Sequence, residues 1–129
     1  IQPEMKGFIE IGKVIKRLAN RATGINGKVY PIEAPSGVNL PYVVYRRQST
    51  QVDSCKDADG CGVSATVEVT LLSDSYDRSV ALAENLNDSL EGNHVLDDIG
   101  NVSISLMDSS EDKVGDIYAQ YFTYRIYID

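Results

Sequence analysis

Cys55, Asp57, Asp59 and Cys61 are the residues whose types and spacing come nearest to chemistry in this chain. They sit with Asp53, Gly60 and Gly62 in "QVDSCKDADGCGVS", residues 51–64. Three readings are open for such a stretch: a metal site, a disulfide-closed loop, or the tip of a hairpin. Calcium fails on spacing, because counting from Cys55 as the first ligand puts Thr66 where a bidentate glutamate belongs. Zinc fails on ligand number, since two cysteines and the lone His94 do not make four ligands in a recognised spacing. A Cys55–Cys61 bridge would close a short loop worth ~2.4 kcal/mol by chain entropy. The first apolar segment, broken by Lys6, Glu10, Lys13, Lys16 and Arg17, shows no secretion pattern, and reduced thiols are expected. The expectation is a metal-free hairpin tip.

Catalysis finds no other foothold. His94 is the only histidine and follows Gly92 at the end of a helical pattern, where a loop histidine without a chemical role is the commoner case. No nucleophile motif, phosphate-cradling glycine loop or metal pair is present. Asp97–Asp98 and Glu111–Asp112 are adjacent carboxylates, and neighbours on an extended chain point apart. The expectation is therefore no catalytic residue, no cofactor and no metal, and not an enzyme.

The elements that position these residues follow from periodicity. Met5, Phe8, Ile11, Ile15, Leu18 and Ala22 recur at three and four and predict an amphipathic helix over 5–22, stopped by Gly24 and Gly27. "YVVYRRQSTQV" is β-branched and aromatic. Val63, Ala65, Val67, Val69 and Leu71 alternate with Ser64, Thr66, Glu68 and Thr70, which predicts a half-buried strand. A second helix over 75–91 has Asp74 as N-cap, Asp77 in its first turn, Gly92 at its end, and a stripe of Tyr76, Val80, Ala83, Leu86 and Leu90. "NVSISLM" and "IYAQYFTYRIYID" close the chain as strands. The predicted fold is α+β: a mainly antiparallel sheet of four strands (42–52, 63–72, 101–107, 117–128), order α-β-β-α-β-β. Two helices cover one face, and the first hairpin is long enough to project.

One domain is expected from 129 residues, with Ile-Gln-Pro-Glu ahead of Met5 reading as a remnant before the natural start. No apolar run approaches membrane-spanning length. Charge is unevenly divided. Residues 1–47 carry eight Lys and Arg against three acids, +5, and residues 48–129 carry four against sixteen, −12, for a total of −7. An acidic balance argues against gripping nucleic acid, although the basic first helix is a local patch. Tyr118, Tyr121, Tyr124 and Tyr127 lie on one strand, and alternation sends Tyr121 and Tyr127 to one face and Tyr118 and Tyr124 to the other. Tyrosine outside a core suits interfaces.

"GKVYPIEAPSGVNLPYVVYRR", "ATVEVTLLSDSYDRSVALAENLNDSLEG" and "YAQYFTYRIYI" together resemble the small tail-completion, or tail-terminator, proteins of long-tailed bacteriophages and prophages, over roughly residues 10 to 128. The resemblance implies a structural protein that forms a ring, often hexameric, at the head-proximal end of the tail tube. Such a ring stops tube growth, docks to the head–tail connector, and lets DNA cross its lumen without specific binding. It implies a place in the virion tail, assembled in the bacterial host cytoplasm, with partners in copies of itself, the tail tube protein and the connector, and none in membranes. The sequence departs from the pattern at its acidic, cysteine-bearing loop. The expected interface is Arg46 and Arg47 on the first hairpin, Asp53, Asp57 and Asp59 at its tip, and Tyr121 and Tyr127 on the last strand. Two rivals stay open: a small α+β ligand-binding or catalytic domain, which requires a pocket of converging polar groups, and a nucleic-acid-binding accessory protein using the basic helix.

Overall fold

Strands account for most of the architecture in the computed structural model, which describes residues 11–52, 63–97 and 99–128. In chain order the elements are α1 (Ile11–Ala19), β1 (Val29–Pro31), β2 (Tyr42–Val52), β3 (Val63–Ser73), α2 (Tyr76–Leu90), β4 (Gly92–Leu96), β5 (Gly100–Val114) and β6 (Ile117–Ile128). They form one curled, six-stranded sheet of order β1-β2-β3-β6-β5-β4. β1 runs parallel to β2, and every other pairing is antiparallel.

This corrects the expectation of a four-stranded, mainly antiparallel sheet in the order α-β-β-α-β-β. The sheet is mixed, and two short strands extend it at either side. β1 is three residues ending in Pro31, and β4 is five residues of which only Leu96 is fully buried. Both are held by backbone pairing to a longer neighbour, so they need no apolar alternation. The strand expected at 101–107 runs on to Val114 and turns through Gly115 and Asp116 into β6. Gly115 has φ 62° and Asp116 is not in the left-handed region, the pattern of a two-residue II′ turn.

One face of the sheet forms the core. Val43 and Tyr45 of β2, Val63, Ala65, Val67, Val69 and Leu71 of β3, and Phe122, Tyr124, Ile126 and Ile128 of β6 pack with Ile11, Val14, Ile15 and Leu18 of α1 and with Leu82, Ala83, Leu86 and Leu90 of α2. Each fully buried aliphatic side chain contributes roughly 1.5–3 kcal/mol. The N-cap of α2 is Ser75, whose Oγ accepts the Arg78 N–H at 3.2 Å. The expected cap, Asp74, instead pairs with Arg78 across the first turn at 3.7 Å. At the other end the Glu91 N–H reaches Asn87 O at 2.9 Å, and His94 Nε2 lies 2.8 Å from Leu90 O. A carbonyl only accepts, so His94 Nε2 carries the proton, and the ring caps one of the helix's last carbonyls.

Two bulges bend the sheet. Gln48 is an extra residue between the pairs Arg47–Val67 and Ser49–Thr66, and Met107 is extra between Leu106–Tyr124 and Asp108–Thr123. Val67 pairs with Tyr124, so both bulges flank the central β3–β6 pair at the same level. Each adds local twist to its strand.

Candidate functional site

Short outer strands leave the sheet incompletely covered. β1 pairs with residues 43–45 of β2, and β4 pairs with residues 100–104 of β5. Beyond those stretches β2 (46–52) and β5 (105–114) have a neighbour on one side only among the described residues. Half of their peptide groups face away from the sheet, as in any edge strand. On β5 two of these groups are met by carboxylates. The Leu106 N–H donates to Glu91 Oε2 at 3.3 Å, and the Lys113 N–H donates to Asp112 Oδ1 at 2.8 Å.

The residues expected at an interface are divided by this geometry. Arg46 and Arg47 are exposed, lie on the open half of β2, and point to opposite faces as successive strand residues do. Tyr121 is half-buried and Tyr127 is 37% exposed, and both lie on the face away from the helices, as does Arg46. Arg46 stands in a cross-strand row with Glu68, Thr123 and Asp108, and Tyr121 in the adjacent row with Thr70 and Ser110. Arg47 falls on the helix side. Asp53, Asp57 and Asp59, with Cys55 and Cys61, lie outside the described residues. Tyr124, on the opposite face from Tyr121, is fully buried and donates to Asn87 Oδ1 at 2.8 Å.

A groove of about 360 Å³ runs between α2 and β5. Its floor includes Leu106 and Phe122, and Glu84, Asp88 and Glu111 stand around it. The Tyr76 hydroxyl lies 3.1 Å from both Glu111 carboxylate oxygens, the Tyr76 ring meets Tyr118 edge-on at 6.0 Å, and Gln120 Nε2 bridges to Glu111 and to Ser79 Oγ. These contacts tie the outer half of the β5–β6 hairpin to the first turns of α2.

Charge divides along the same axis. Lys13, Lys16, Arg17, Arg21, Lys28, Arg46 and Arg47 lie on α1, β2 and the segment between them. Glu84, Asp88, Glu91, Asp108, Glu111 and Asp112 lie on α2 and β5 or between α2 and β4. Glu33 before β2, Arg78 on α2 and Lys113 on β5 run against this trend, so the sheet has a predominantly basic edge and a predominantly acidic one.

Three phenols are held above their ordinary value. The Glu111 hydrogen bond and charge push the Tyr76 phenol above its ordinary value, and burial does the same for Tyr45. Burial, then the Glu91 charge, pushes Tyr124 further up. All three stay protonated at neutral pH, and the Tyr76 and Tyr124 hydroxyls act as donors. Among the described residues no group of three or more His, Cys, Asp or Glu side chains is placed to hold a metal ion. No helix among them is long and apolar enough to cross a membrane.

The acidic edge was missed in the sequence because "DSSEDKV" (108–114) has neither alternation nor β-forming residues. The signal that could have found it is Gly115–Asp116 between Val114 and Ile117, a two-residue hairpin turn with apolar flanks.

No family model matches the chain, and no curated protein matches it. Among solved structures it is similar to a chain from the virion of a native gene transfer agent particle, with a TM-score of 0.58 and 19% identity over 95% of this chain and 90% of that one. At that identity the likeness establishes a shared fold.

Proposed function

We propose that this chain is a structural protein of a phage or phage-like particle, and within it a tail-completion subunit. It assembles as a ring on the head-proximal end of the tail tube, stops tube growth and offers the head connector a docking surface. The observation that carries this reading is the fold, shared along nearly its whole length with a chain of a gene transfer agent virion. The order and spacing of the tail-completion-like segments from Gly27 to Ile128 support the finer role. Its work is contact rather than catalysis, in keeping with a surface of open strand edges and divided charge. DNA crosses the ring without being gripped, since the chain's net charge is −7 and phosphates are repelled.

The test is tube capping. Full-length chain is added to the polymerising tail-tube protein of the same phage, and tubes are imaged by negative stain with the chain gold-labelled. Label confined to one end of each tube, with growth halted there, is the expected result. Label scattered along tubes, or tubes of unchanged length without label, overturns the reading.

A further inference from the structure

We infer that the open, acidic outer half of β5 is the docking edge for the open, basic outer half of β2 in a second copy of this chain, so that the sheets of neighbouring subunits join edge to edge. This deepens the ring reading by naming the surfaces that close it.

Strand direction permits the join. β2 is antiparallel to β3, β3 to β6, and β6 to β5, so β2 and β5 run in opposite senses within one subunit. Two copies in the same orientation therefore bring β5 of one against β2 of the next as an antiparallel pair, and the sheet continues. The contact is heterologous and leaves one unused edge of each kind, which only a ring or a filament satisfies.

The short outer strands set the register. Within one subunit Arg46 is level with Asp108. There β1 and β4 block opposite ends of the two edges, so copies at equal height overlap poorly. Shifting the second copy four residues along β5, about 13 Å at 3.3 Å per residue, sets its 46–52 against 106–112. Faces match at the charged end of this stretch, and between the bulges at Gln48 and Met107 they fall out of step, so the pairing rests on that end. Arg46 of the next copy then opposes Asp112 on the helix-free side, and Arg47 opposes Glu111 on the helix side. Such a stagger tilts the strands to the ring axis, as closing any sheet requires.

Charge selects this pairing over its rivals. Two β5 edges would set Asp108, Glu111 and Asp112 against their own copies, and two β2 edges would set arginines against arginines. Of these joins, the mixed one alone sets both arginines against carboxylates, which fixes orientation and rejects wrong partners. The carboxylate of Glu91, now holding the Leu106 amide, occupies a donor that the incoming strand would take.

The test uses full-length chain alone, with benzoylphenylalanine in place of the exposed Ser110, as an equal mixture of ¹⁴N- and ¹⁵N-labelled protein. After irradiation, mixed-label cross-links from position 110 to residues 46–52 are expected. Cross-links to β4 or to β5 of the second copy, or none between labels, overturn the inference. Arg46→Glu should cut the cross-link yield by about tenfold and Arg46→Glu with Asp112→Arg should restore it, because the swap returns opposite charges to the pair. A double variant no better than the single one also overturns the inference. Both sites are exposed, and an unchanged melting curve confirms that the variants fold. Because no tail component is present, an edge join without tube capping refutes the tail reading alone, and capping without the join refutes this inference alone.

Discussion

Replacing Tyr124 with Phe tests the account of the core through a single oxygen. The ring is fully buried and stacks on Phe122 at 5.8 Å, and its hydroxyl donates to Asn87 Oδ1 at 2.8 Å. Asn87 Nδ2 in turn reaches Glu91 Oε1 at 3.2 Å, and Glu91 Oε2 accepts the Leu106 N–H. The variant keeps the ring and loses the first link, which costs about 1 kcal/mol below pH 9. Above that the advantage shrinks. The Tyr124 phenol sits well above its ordinary value in the folded chain and near 10 in the unfolded one. Past about pH 10 the unfolded chain sheds this proton while the folded chain keeps it, so wild-type stability falls by about 1.4 kcal/mol per pH unit. Tyr124→Phe lacks that loss, and Tyr45 and Tyr76 contribute to both proteins and cancel in the difference. The wild-type advantage should vanish between about pH 10 and 11 and then reverse. Urea unfolding followed by far-ultraviolet circular dichroism from pH 8 to about 11.5 reads both limbs. Parallel loss of stability in the two proteins above pH 10 would refute the buried-phenol account.

Three further substitutions probe the scaffold. Leu86→Ala empties a fully buried site on α2 and should cost about 3 kcal/mol by urea unfolding, and a loss under 1 kcal/mol would mean that α2 does not pack as described. Gly24→Ala should cost about 1–2 kcal/mol, because Gly24 has φ 93° and an added Cβ would lie 2.5 Å from Leu82 Cδ2; an unchanged melting point would contradict this. Ile32 is 73% exposed with φ 68°, so Ile32→Asn should stabilise the isolated chain by about 1 kcal/mol, and destabilisation would count against the left-handed backbone there.

The sequence was legible where side chains did the positioning. Val63 to Leu71 alternate because β3 lies at the centre of the sheet with helices on one side, and Leu82, Leu86 and Leu90 recur because α2 lies on that side. It was illegible where backbone did the work. β1 is Val-Tyr-Pro and β4 is Gly-Asn-His-Val-Leu, and neither has an alternation to read because each is held by hydrogen bonds to a longer neighbour. The outer half of β5 failed for the same reason, since polar residues on a half-exposed edge look like loop. Among the expected interface residues, Arg46 and Arg47 reach an open edge, and Tyr121 and Tyr127 share a face that the strand alternation had paired correctly. Asp108, Glu111 and Asp112, which complete the charge division, went unnoticed as a group because nothing in their spacing shows that they share an edge.

The paired bulges separate two properties that are usually entangled in a strand. Deleting Gln48 would leave Arg47 opposite Val67 and Ser49 opposite Thr66. Deleting Met107 would leave Leu106 opposite Tyr124 and Asp108 opposite Thr123. No side chain would change face and no partner would change, so these two residues carry no pairing information. What they add is bend, applied at one level on both sides of the central strands. Curvature in this protein is thus written independently of register. Related chains could alter the radius of the surface they build by gaining or losing single residues at these two points, while the core that folds them stays as it is.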